Sequence, residues 1–98
     1  SVYEATLAYE LEQQGFKVEQ QKPIPIRYRE KFFDRGFVAD LVVDNCVIVE
    51  LKSVEKLARV HKKQLLTYLR LADRRLGLLI NFGEASLKNG IARVANSL

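Results

Sequence analysis

Ninety-eight residues and 11.3 kDa make one small domain, because a chain this short buries only about two-thirds of its unfolded surface and supports a single core. A composition of 48% hydrophobic and 29% charged residues, with two Pro and five Gly, is globular and excludes disorder, collagen and low complexity; one cysteine, Cys46, excludes an internal disulfide and a thiolate zinc site. The net charge of +4 is uneven: residues 1–49 hold six basic and eight acidic side chains and residues 50–98 ten and four, a basic half that fits a polyanionic partner as well as a merely solubilising surface.

From Ser1 to Gln14, apolar Val2, Tyr3, Leu7, Ala8 and Leu11 lie among Glu4, Glu10, Glu12 and Gln13, which predicts an amphipathic helix ended by Gly15. Phe16 to Gln20 alternates and predicts a short strand. In Lys22 to Arg29, Ile24, Ile26 and Tyr28 share one face, and Pro23, Pro25, Arg27 and Arg29 the other. Prolines without a ladder donor, set beside arginines, predict an edge strand. Glu30 to Gly36 reads as a loop or a hairpin tip. Phe37 to Val43 and Val47 to Leu51 are strongly β-forming, and Asp44-Asn45-Cys46 between them predicts a tight hairpin. Leu57 to Arg75 has helical periodicity. Leu76 to Phe82 is apolar on both faces, a buried strand covered by helices and broken by Gly83. Leu87 to Leu98 suits a last short strand or a helix.

The expected order is α-β-β-β-β-α-β, an α/β domain with one mixed sheet flanked by helices. Short apolar runs such as Val47 to Val49 and Leu78 to Ile80 predict neither a transmembrane helix nor a signal peptide. The lone cysteine fits a reducing, cytoplasmic compartment. No methionine occurs, even at position 1, as in a piece of something slightly longer.

The central hairpin breaks its own pattern. Val47-Ile48-Val49-Glu50-Leu51-Lys52 begins as a buried strand and then places two charges on alternate positions, with Ile48, Glu50 and Lys52 on one face. Asp40 interrupts the neighbouring apolar strand in the same way. Charges leaving a buried strand cost several kcal/mol each unless paired or serving a metal. For Asp40 and Glu50 to share a face, paired positions must sum to an even number. A three-residue loop at Asp44 to Cys46, or a bulge, achieves this; a two-residue turn does not. Two carboxylates and a lysine at one sheet end suit phosphoryl chemistry. Carboxylate oxygens are hard ligands for Mg²⁺ or Mn²⁺ that leave positions for water and phosphate oxygens. A lysine beside them orients a hydroxide and neutralises charge developing on phosphorus. A Glu50–Lys52 or Asp40–Lys52 ion pair is the structural alternative.

On the second helix, His61, Gln64, Leu65, Tyr68 and Ala72 fall on one face, and Arg59, Lys63, Arg70 and Arg74 on the opposite one. The first face covers the sheet, so its imidazole, amide and phenol need partners near Asp40, Glu50 and Lys52. Gln64 and Tyr68 then contact a scissile phosphate or its flanking backbone. Alternatively, Tyr68 fills the core with its hydroxyl at the rim and His61 is simply a satisfied histidine. The basic stripe reads as a solvated face. Arg27, Arg29 and Lys31 are better placed for a polyanion, with a direction that the sequence leaves open.

Taken in order, Ala39-Asp40-Leu41, Val49-Glu50-Leu51-Lys52, His61 to Leu69, and Gly77 to Gly83 resemble the GxxExxY protein family of the PD-(D/E)XK nuclease superfamily. The similarity runs from Ser1 to the block Ser86-Leu87-Lys88-Asn89-Gly90-Ile91. It implies a restriction-endonuclease-like core spanning 1–98 as a single domain. It also implies that Asp40 and Glu50 bind the metal, that the Leu51 main-chain carbonyl adds a ligand, and that Lys52 is the lysine of the E-x-K element. Gln64 and Tyr68 resemble the Q-xxx-Y element of the exonuclease branches. The motif that names the family needs a glycine and a glutamate immediately before Ser1, and only Tyr3 of it stands here. The domain is therefore N-terminally truncated relative to that motif, which takes away a glutamate that assists the metal site. Glu4, four positions on, is not expected to replace it.

The leading expectation is a Mg²⁺- or Mn²⁺-dependent nuclease that hydrolyses phosphodiester bonds, in DNA rather than RNA. Asp40, Glu50 and Lys52 are its catalytic residues, and Gln64, Tyr68 and His61 its substrate contacts. The partner is nucleic acid and no membrane, and an edge strand with a small core fits a homodimer. A non-catalytic nucleic-acid-binding or protein-interaction module on the same scaffold is the alternative.

Overall fold

The computed structural model describes residues 1–97. Its elements are α1 (Val2–Gln13), β1 (Val18–Tyr28), β2 (Lys31–Val43), β3 (Val47–Lys52), α2 (Arg59–Ala72), β4 (Leu76–Asn81), a 3₁₀ turn (Lys88–Gly90) and β5 (Ile91–Ala95). The strands form one sheet in the order β1-β2-β3-β4-β5. Only the β3–β4 pair is parallel, because α2 carries the chain back across the sheet between them. The α/β class and the mixed sheet with a helix on each side are as expected.

The expected order of elements needs correction. Phe16–Gln20 and Lys22–Arg29 are not two strands: they merge into β1, whose break is a single residue, Gln21, in the left-handed region at φ 49°. Of the segment from Glu30 to Gly36, only its start is the hairpin tip, and the rest is strand. β2 starts at Lys31, leaving Arg29-Glu30 as a two-residue tip. Both strands are mostly exposed there, Tyr28, Phe32 and Phe33 included, because the arm has little core to cover. The last segment resolves into a 3₁₀ turn and β5. Helix α2 is shorter at both ends than its periodicity; at the C-terminal end Asp73 takes a left-handed cap at φ 56°.

Each helix buries one apolar face. Ser1 caps α1 by accepting the Glu4 N–H, and Gly15, at φ +94°, ends it. Leu7, Ala8 and Leu11 pack on Leu41, Val49 and Ile80. On the other side of the sheet, Leu65 and Leu69 of α2 pack on Ile24, Val42, Ile48 and Leu79. Gly77 lets α2 approach β4 closely, because a Cβ there would stand 2.8 Å from Leu65.

The β2–β3 register has the expected parity, although the ladder stops one pair short of Asp40 and Glu50. Leu41, Val42 and Val43 pair with Val49, Ile48 and Val47 around the three-residue loop Asp44–Cys46, so pairs sum to an even number. Asp44 and Asn45 both have φ near +50°, a conformation that these two residue types tolerate better than most. Asp44 and Lys17 exchange two hydrogen bonds of 2.8 Å, and Arg74 donates to the Asn45 carbonyl at 2.9 Å. Arg74 thus leaves the solvated stripe predicted for it and ties α2 to this loop.

Candidate active site

A kink shared by β1 and β2 creates the site. Leu41 and Val43 face α1, while Phe37 and Ala39, also odd-numbered, pack on the α2 side. Alternation therefore slips by one residue at Asp40. The same slip occurs on β1 between Val18 on the α1 side and Ile24 on the α2 side. Gln21 and Asp40 fall opposite each other, between the pairs Gln20↔Leu41 and Lys22↔Ala39. A residue at such a slip belongs to neither face. The Asp40 carboxylate lies along the sheet, where its Oδ2 accepts the Leu51 N–H at 2.7 Å. The β2–β3 pairs end at Leu41↔Val49, so Asp40 fills the notch where the two strands part.

Gln21 holds the other carboxylate oxygen. Its Nε2 donates to Asp40 Oδ1 at 3.2 Å and to Glu4 Oε1 at 2.6 Å. Glu4, though on a mostly exposed helix, is buried at 8% exposure. The first helix thus reaches the site through Glu4 after all, by way of an amide rather than directly. Its place was legible: positions 4, 7, 8 and 11 form one helical stripe. Gln21 had no comparable signal.

Glu50 is the strained member. It is half-buried, and its Oε1 is fully buried without a hydrogen-bond partner. Burial, and next the Asp40 carboxylate, push its pKa up to about 7, partly offset by the Lys52 ammonium. The ion-pair alternative for Lys52 does not form: among the described residues, the one salt bridge joins Lys22 and Glu19. Lys52 instead lines a depression of about 330 Å³ with Ser1, Tyr3, Leu51, Ser53 and Phe82. Tyr3 stacks on Phe82 at 4.5 Å, fixing the start of α1 against the end of β4.

The α2 residues divide. His61 Nδ1 accepts the Ala58 N–H at 2.9 Å, so its imidazole caps the helix where Ala58 has no side-chain acceptor. Tyr68 stacks on Phe37 at 4.4 Å, and Gln64 Nε2 donates to the Tyr68 hydroxyl at 3.3 Å. Gln64 is exposed rather than turned onto the sheet. With Val60, Lys63 and Thr67 this pair lines a groove of about 410 Å³, which puts Lys63 beside the predicted substrate contacts instead of on the far side.

Asn81 was missed by sequence reasoning, although an amide ending an otherwise apolar strand is a visible signal. Fully buried, it accepts the Val54 and Gly83 N–H groups at 2.9 and 3.1 Å and donates to the Val54 carbonyl and Glu84 at 2.8 and 3.0 Å. These bonds clamp the segment that follows Lys52. Gly83 permits the close approach, since a Cβ there would lie 2.1 Å from the Val54 carbonyl oxygen.

The donor set suits a small hard cation. A buried carboxylate oxygen without a hydrogen bond lacks a positive partner, and Asp40 stands next to it. Leu51 turns its N–H toward β2, and an extended strand sends the carbonyl of the same residue to the same edge. Among the described residues no three Asp, Glu, His or Cys converge into a protein-only cage. That agrees with Mg²⁺, which is commonly held by one or two carboxylates and keeps several waters.

The class defined here is an α/β domain whose mixed sheet carries an acidic pair and an E-x-K lysine where two neighbouring strands part. A family model described as the PD-(D/E)XK nuclease superfamily matches residues 1–94, and the chain belongs to that superfamily. Searches of curated proteins and of solved structures found no significant match. Among the described residues, no helix is long and apolar enough to cross a membrane.

Proposed function

We propose that this chain is a divalent-metal-dependent nuclease of the GxxExxY family that hydrolyses phosphodiester bonds in DNA. The observation that carries the reading is the buried, unpartnered Glu50 Oε1 beside Asp40, with Lys52 two residues on and unpaired by either acid. Asp40, Glu50 and the Leu51 carbonyl would hold Mg²⁺ or Mn²⁺, which when bound supplies Lewis-acid polarisation of the phosphoryl group and an acidified water.

The chain's own residues do the rest. Gln21 and Leu51 fix both oxygens of Asp40, so that it enters the reaction already oriented. Lys52 orients the attacking oxygen and neutralises charge that develops on the phosphate. Gln64 and Tyr68 hold the flanking strand through the groove that they share with Lys63. His61 keeps the first turn of α2 in place and supports them from there. The exposed, free Cys46 fits a cytoplasmic setting.

The test is incubation of labelled single-stranded DNA, duplex DNA and RNA with and without Mg²⁺ or Mn²⁺. Fragments from DNA, only with metal, are expected from the wild-type chain. Lys52→Ala should abolish them while leaving the melting curve and Mg²⁺ affinity nearly intact. Full activity in that variant removes the lysine from the mechanism. Gel retention without cleavage, unchanged by metal, supports a non-catalytic binding module.

A further inference from the structure

The β1–β2 arm extends beyond the paired part of β3 and bends over α2. Its bend is a bulge: the register shifts between Ile24 and Ile26, where Ile26 fills the space above Gly36, and a Cβ at Gly36 would lie 2.1 Å from it. Between the arm and the last turn of α2 lies a cleft of about 610 Å³, lined in part by Arg27, Arg29 and Phe32 on one side and Arg70, Ala72 and Asp73 on the other. Three arginines and one aspartate thus line it. Among the described residues none of the three arginines has a salt-bridge partner. Aromatic rings are interleaved with them. Tyr28 and Phe32 are 56% and 57% exposed, and the Arg29 guanidinium lies 5.6 Å from the centre of the Tyr28 ring.

Unpaired arginines beside exposed aromatic rings match a strand that offers phosphates and open base faces together. An acidic peptide uses the arginines but not the rings. A second copy adding to the sheet edge is disfavoured by Pro23 and Pro25, which offer no N–H, and by the left-handed Gln21 and Arg29. We propose that this cleft binds single-stranded nucleic acid, with phosphates on Arg27, Arg29 and Arg70 and a base stacked on Phe32. As a second contact for the strand cut at Asp40 and Glu50, it rests on the nuclease reading; as a binding site, it does not.

The experiment is fluorescence anisotropy of a labelled dT12 oligonucleotide with the full chain in EDTA, so that cleavage plays no part. An Arg27→Ala/Arg29→Ala double variant should bind about tenfold more weakly at ~0.1 M salt, and its slope of log affinity against log salt should fall by about 1.4, the amount expected for two lost phosphate contacts. Phe32→Ala should weaken binding and leave that slope unchanged, and Phe32→Trp should show quenched emission on titration with dT12. All variants should melt like the wild type, since the substituted side chains are exposed. Wild-type affinity and slope in the double variant overturn the proposal. So does an equal loss in Lys88→Ala/Arg93→Ala, which lies away from the cleft, or sedimentation showing that the arm substitutions dissociate a dimer while dT12 binding is kept. A chain that passes this test but never cleaves loses only the nuclease reading. One that cleaves with Mg²⁺ while the double variant binds normally loses only the cleft.

Discussion

The Asp40 carboxylate stands where a β-ladder would place a carbonyl, accepting the Leu51 N–H at 2.7 Å. One side chain thereby ends the pairing of β2 with β3, satisfies the donor exposed by that ending and keeps an acid next to Glu50. The cost of parting two strands is offset locally, since a charge-assisted bond replaces a neutral one.

Orientation of Asp40 depends on its other oxygen, held by Gln21, which Glu4 holds in turn. Gln21→Ala should therefore weaken Mg²⁺ binding by roughly 10- to 100-fold, the usual effect of losing a group that orients a ligand. Calorimetric titration checks the affinity, and urea unfolding should show a loss of about 1 kcal/mol, because the buried Glu4 carboxylate loses its donor. Glu4→Gln should act in the same direction but more weakly, since a neutral amide oxygen accepts the Gln21 N–H less strongly than a carboxylate does.

Glu50 makes metal-free stability depend on pH. Its folded pKa of about 7 lies above the ordinary value of 4.5, so between these pH values the folded chain binds more protons than the unfolded one. Stability falls as pH rises across that window and levels off above it, by on the order of 3 kcal/mol in total. Glu50→Gln removes this dependence. In EDTA the variant should gain on the wild type from pH 5 to pH 8 in urea unfolding, while losing Mg²⁺ affinity and cleavage. Equal unfolding midpoints at all pH values would show that burial does not raise this carboxyl.

Asn81→Leu should destabilise the fold by roughly 3 kcal/mol, because it strands the Val54 N–H and carbonyl and the Gly83 N–H in a buried place. Chemical denaturation measures the loss. Cleavage at temperatures well below unfolding should fall too, since the clamp follows directly on Lys52.

Tyr68 separates packing from contact. Tyr68→Phe keeps the stack on Phe37 and removes only an exposed hydroxyl bonded to Gln64, so stability should stay within about 0.5 kcal/mol while KM for DNA rises several-fold and kcat holds. Phe37→Ala, by contrast, should cost about 3 kcal/mol in thermal or urea unfolding, since it empties a buried ring position.

Local chemistry made much of this molecule readable from its residues. Gly15, the Asp44-Asn45-Cys46 loop, the largely apolar run of β4 and the charges at 40, 50 and 52 act through backbone preference and burial, which depend on near neighbours. The parity of the β2–β3 register was readable from the three-residue loop, but not that the ladder ends before Asp40. Other features were decided by contacts between distant segments. The one-residue slip at Gln21 and Asp40 exists because two strands kink together. Glu4 matters because α1 lies against that kink. Arg74 is tied to a loop 29 residues away, and the arm's arginines line a cleft because a bulge bends the arm over α2. Side-chain direction at a break in alternation is set by what the partner strand does there. No periodicity within a single strand carries that information.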